Sequence, residues 1–75
     1  MGQYSFSDNL RRKRREKKLS QKDLADRVGV SQKTISAWEL NERYPTLDKV
    51  YDLASTLHID IKELICLQKK LSKRE

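Results

Sequence analysis

Between Ser31 and Trp38 lies a run of side chains suited to bonding with the edge of a flat heterocycle. Its members outside the apolar core are Ser31, Gln32, Lys33, Thr34, Ser36 and Ala37. Gln offers a donor and an acceptor side by side, the pattern that matches an adenine edge. Lys reaches guanine acceptors or a phosphate, Ser and Thr bond either, and Ala or a Thr methyl fits a thymine methyl. The run holds no acidic residue, in a chain with 11. Other chemistries lack their parts. The chain has one His and one Cys, His58 and Cys66, too few for paired zinc ligands and without a base beside the thiol. No clustered carboxylates and no phosphate-cradling Gly loop are visible. The expectation is a protein that is not an enzyme, with no metal and no cofactor.

A reading run of this kind must be held rigidly from behind. Ile35 and Trp38, three apart, face inward on the same helix. Ahead of them, Leu24, Ala25 and Val28 form one inward stripe of a shorter helix that ends at Gly29. Ala25, Gly29, Ile35 and Trp38 fall at offsets 0, 4, 10 and 13. Two helices joined by a short turn at a glycine are the sequence form of a helix-turn-helix. Ala25 must be small where the second helix crosses above it, and Gly29 supplies the positive φ of the turn.

Five helical segments follow from capping residues and apolar spacing. The first runs from about Ser7 to Lys18, capped by Ser7 or Asp8. The second runs from about Ser20 to Val28, with Ser20 and Asp23 as a capping box. The third starts at Ser31 and ends near Leu40, where Asn41 takes the left-handed position. Thr46 caps the fourth, whose apolar face is Leu47, Val50, Tyr51, Leu53, Ala54 and Leu57, with His58 at its end. Asp60 and Glu63 open a fifth helix carrying Ile61, Leu64, Ile65 and Leu67. The expected organisation is a flexible arm over residues 1–5, one domain over 6–67 and a basic tail or helix extension over 68–75. With two Gly and one Pro in 75 residues, a hairpin-rich β fold lacks its turn formers.

Charge points the same way as the reading run. Seventeen Lys+Arg against 11 Asp+Glu leave a net +6, which favours an anionic partner, nucleic acid first. Most of that charge lies in residues 1–18 and 68–75, outside the neutral motif. The run Arg11–Lys18 is a solvated basic face, too poor in large apolar residues to insert into a membrane. No apolar run approaches the roughly 20 residues of a membrane span, and no signal peptide is visible. A cytoplasmic location is expected, with no small-molecule ligand.

The stretch Leu19 to Glu39, LSQKDLADRVGVSQKTISAWE, followed by Asn41, by Pro45-Thr46-Leu47 and by Leu53-Ala54 and Leu57, resembles the phage-repressor/Cro-type (XRE-like) helix-turn-helix family. The resemblance covers about Phe6 to Leu67. It implies an all-α, compact five-helix, lambda-repressor-like domain that binds double-stranded DNA as a small transcriptional regulator, commonly as a homodimer on a two-fold operator. Carried over by position, it makes Gln32, Lys33, Ser36 and Ala37 base-facing and Gln21 a contact to backbone or base. It places Asn41 and Arg43 in a loop that touches phosphates, and Ser31, Thr34, Tyr44, Arg11 and Lys22 are expected to join them. It implies an internal ion pair between Arg14 and Glu39. Leu64, Leu67 and Leu71 are spaced for either core completion or a dimer contact. Lys18, Asn41 and His58 stand where the family often has Gly, which puts strain or a one-residue shift at those helix ends. A second class of function uses the same fold: an antitoxin or adapter that holds a protein partner and regulates itself by binding DNA.

Overall fold

The computed structural model describes residues 5–65. Within them lie four α-helices, α1 (Phe6–Glu16), α2 (Gln21–Val28), α3 (Gln32–Glu39) and α4 (Leu47–Leu57), and one 3-10 turn, Ile61–Glu63. No strand occurs among the described residues.

Each α-helix starts on a hydroxyl. The Oγ of Ser5, Ser20 and Ser31 and the Oγ1 of Thr46 accept the backbone N–H three residues on. At α2 the box closes both ways, since Ser20 N–H also donates to Asp23 Oδ2 at 3.2 Å. Each such cap stabilises its helix by about 1 kcal/mol. The helix ends share a device too. Lys18, Gly29, Asn41 and His58 all have positive φ. In each case the next residue donates its N–H five residues back: Leu19 to Arg14, Val30 to Ala25, Glu42 to Ala37 and Ile59 to Ala54, at 2.9 to 3.2 Å. This is the bond of a Schellman ending, and the apolar residue that usually accompanies it is there in three of the four. Leu19, Val30 and Ile59 are all partly buried against the core.

The core draws Phe6 and Leu10 from α1, Leu24, Ala25 and Val28 from α2, Ile35 and Trp38 from α3, Val50, Leu53, Ala54 and Leu57 from α4, and Leu64. α2 packs on both α3 and α4, and α1 lies against α3.

Four expectations need correction. The first helix begins a turn early: Ser5, not Ser7 or Asp8, is its cap, because Phe6 is needed in the core and Ser7 is buried beside it. A fifth α-helix is not formed among the described residues. Its place is taken by the 3-10 turn, which swings Leu64 into the core, and Asn9 Nδ2 donates to the Leu64 carbonyl at 2.8 Å, the acceptor a continuing helix would use. Leu64 is fully buried, so it completes the core and offers no surface to a second copy; Cys66, Leu67 and Leu71 lie outside the described residues, as do residues 1–4 of the expected arm and the whole of the expected tail. Finally, the apolar face of α4 is narrower than its spacing suggests. Leu47 is 64% and Tyr51 56% exposed, because the stripe buried in the core is Val50, Leu53, Ala54 and Leu57, and Leu47 and Tyr51 stand at its flank.

Candidate nucleic-acid interface

Helix α3 is pinned from one side. Ile35 is fully buried and Trp38 nearly so, while Ser31, Gln32 and Lys33 are exposed and Thr34, Ser36 and Ala37 half-buried. The outward row thus keeps a fixed orientation, and it carries one charge, Lys33. At its start Ser31 Oγ accepts Thr34 N–H at 3.1 Å and lies 2.9 Å from Thr34 Oγ1. Both hydroxyls therefore serve the cap while staying at the surface.

The far end of α3 is held by a polar cluster. Glu39 is 4% and Arg14 9% exposed. Arg14 Nε donates to Glu39 Oε2 at 2.6 Å, Arg14 Nη2 to Oε1 at 3.1 Å and Arg14 Nη1 to the Leu19 carbonyl at 2.8 Å. A two-pronged pair of this kind is the geometry in which a buried guanidinium and carboxylate satisfy one another. Gln21 Nε2 joins them, donating to Glu39 Oε1 at 3.0 Å. Gln21 is thereby half-buried and tied inward, an engagement its position at the start of α2 does not disclose.

Directly after α3 comes the loop with Asn41, Glu42, Arg43 and Tyr44, all exposed. Tyr44 is anchored there by its ring, 4.9 Å from that of Phe6 and tilted at 56°. The loop is short of positive charge, since Glu42 sits beside Arg43. Arg11 and Lys22 are engaged on their own helices, with Asp8 at 3.4 Å and Asp26 at 3.5 Å. These exposed pairs are loose and exchange readily with solvent or another anion.

Two carboxylates are shifted. The Ser20 backbone N–H, helped by its hydroxyl, holds Asp23 below the usual range. Lys13, 3.0 Å away, and then the Asp60 N–H do the same for Glu63. Sequence reasoning missed Asn9, which is buried and ties α1 to Leu64; an Asn amid the polar side of α1 looks like any solvated residue.

The helix-turn-helix family model matches residues 10–64, most of the chain and the whole of the motif just described. The chain belongs to the helix-turn-helix family. It is 32% identical over 60 residues to the HTH-type transcriptional regulator YqaE of Bacillus subtilis, covering 80% of this chain and 52% of that protein. It is 40% identical over 57 residues to an HTH-type transcriptional regulator of Sinorhizobium fredii, covering 76% of this chain and 74% of that one. The chain thus spans about half the length of the first relative. Among solved structures, the P22 c2 repressor in complex with a synthetic operator superposes with a TM-score of 0.81 at 28% identity, covering 85% of this chain and 97% of that one. The chain is all-helical over its described residues, and none of its described helices is long and apolar enough to cross a membrane.

Proposed function

We propose that the chain is a transcriptional regulator that binds double-stranded DNA in a sequence-specific manner. The observation that carries this is the outward row of α3: Gln32, Lys33, Ser36 and Ala37 on a helix pinned by Ile35 and Trp38 and tied at its far end through Glu39, with hydrogen-bonding groups outward and no acid among them. A major groove admits one such helix, and these side chains match base edges. Gln32 and Lys33 reach bases first and Ser36 hydrogen-bonds later in the groove. Ala37 permits close approach. Ser31, Thr34, Asn41, Arg43 and Tyr44 fix the helix on phosphates, and the basic face of α1 with Arg11 adds general attraction. The superposition on a repressor solved with its operator supports the same docking.

The active species is a homodimer on a two-fold operator, with the two α3 helices about 34 Å apart on one face of the duplex. Repression is the effect expected of a small domain that occupies a promoter. Selection of bound fragments from a random duplex pool tests the proposal directly. A two-fold consensus is the expected result; a pool that stays random after several rounds would overturn it.

The exposed Leu47 and Tyr51 favour a second reading, an adapter or antitoxin that holds a protein partner. Stable co-purification of one protein in fixed ratio would support it.

A further inference from the structure

We infer that Gln21 is a positioning residue, whose amide fastens the first turn of α2 to the end of the recognition helix through Glu39. The inference rests on the DNA-reading function proposed above and assigns Gln21 a role other than contact with base or phosphate. Glu39 as a carboxylate only accepts hydrogen bonds, so the amide nitrogen of Gln21 is the atom that faces it. Its Oε1 accepts from both Arg14 Nη2 and Gln21 Nε2, at 3.1 and 3.0 Å. Arg14 also holds the Leu19 carbonyl, just ahead of the Ser20 cap. The end of α1, the turn into α2, the first residue of α2 and the last of α3 therefore converge on one buried carboxylate.

That convergence has a mechanical consequence. Ala25, Ile35 and Trp38 press α2 and α3 together through apolar contact, which fixes separation well and rotation poorly because it is non-directional. A hydrogen bond at the end of α3 is directional and removes the remaining pivot. Arg14 ties α3 to α1, and Gln21 ties it to α2. The outward row of α3 then meets base edges at a set angle to the backbone contacts. Positional errors in such a row cost discrimination before they cost general attraction, since base contacts are short and phosphate attraction is long-ranged.

The test uses the full chain with Gln21→Met, which keeps the stem and removes the amide, and Gln21→Glu. The first arm needs no DNA. The charged groups bonded into the site are Arg14 from α1 and Glu39 from α3. At pH 7 Gln21→Glu sets a second carboxylate against Glu39 and melts below Gln21→Met. As pH falls through the ordinary glutamate range, near pH 4.3, the introduced carboxyl gains a proton, becomes a donor and closes the gap. A gap that is the same at every pH overturns the clamp. In the second arm, Gln21→Met weakens binding to the duplex selected from random DNA by about tenfold, the scale of one hydrogen bond to a charged group. The loss spreads over all base pairs, with random DNA bound as before and the salt slope unchanged. A loss confined to one base pair, or an equal loss on random DNA, overturns the positioning role. Should the wild type select no sequence, the DNA-reading function fails, and the melting arm still decides the clamp.

Discussion

Arg14 and Glu39 are two charges taken out of water, and neither is tolerable alone. Glu39→Ala leaves a buried guanidinium with one carbonyl partner, and the expected cost is about 3–5 kcal/mol. Thermal melting checks this; a variant that melts within a degree or two of wild type contradicts it. On the exposed side the stakes differ. Gln32→Ala is expected to lose discrimination at one or two base pairs, at about 1–3 kcal/mol each. Arg43→Ala should weaken all sequences alike and lower the salt slope by about one. Binding titrations on selected and random duplexes at several salt concentrations separate the two signatures. Both members of the Arg14–Glu39 pair are visible in the sequence through the family resemblance. The third member is not: nothing about a Gln at the start of a helix says whether its amide turns toward solvent or toward a carboxylate 18 positions later.

At the scale of elements, all four helices stop by the same left-handed ending, and three of the four use a residue other than Gly. A left-handed conformation costs an ordinary side chain about 1–2 kcal/mol, and Gly pays back part of the relief through its freer unfolded chain. Lys18→Gly and His58→Gly are therefore expected to stabilise by about 0.5–1 kcal/mol each, read as a rise of a few degrees in Tm. At Gly29, φ is +81° and an added Cβ meets nothing within 4 Å. Gly29→Ala should destabilise by about 1 kcal/mol through backbone conformation alone, since no clash adds to it. The starts of the elements respond to acid instead. Asp23 and Glu63 have folded pKa values below their unfolded ones. Their contribution is present above the unfolded value and is lost as pH falls through the folded value. Melting should thus decline on the acid side of the carboxylate range, less steeply in Asp23→Asn with Glu63→Gln. The caps Ser20, Ser31 and Thr46, the Gly29 turn and the left-handed Asn41 are local in sequence and were legible there, whereas a left-handed His58 was not, since an imidazole lacks the short polar reach that suits Asn to that conformation. The early start of α1 was not, because the core's need for Phe6 outranked the capping signal at Ser7 and Asp8.

For the whole molecule, one small core must hold every element, so single losses weigh heavily. Leu64 closes that core from the far end of the domain, and Asn9 grips its carbonyl. Leu64→Ala is expected to cost about 2–5 kcal/mol, measured by denaturant unfolding, and to loosen α1 and α4 together. Of the two roles the spacing leaves open for Leu64, core completion or contact with a second copy, its buried side chain takes the first. Spacing alone could not decide between the two, since i, i+3 positions on a short apolar segment suit a core as well as an interface. Leu47 and Tyr51 failed in the opposite direction. Their helical phase lies next to the inward stripe, and only the placement of α2 beside α4 decides how wide that stripe is.

The all-helical class, the helix-turn-helix, the inward Ile35 and Trp38 and the outward row without acid all follow from local periodicity, capping and turn chemistry, which a chain of amino acids carries before it folds. The long-range contacts come from packing instead: Gln21 to Glu39, Asn9 to Leu64, Tyr44 onto Phe6. Those pairings join residues distant in the chain, and a polar side chain at the surface of one helix has no local signal of what the next helix will bring to it.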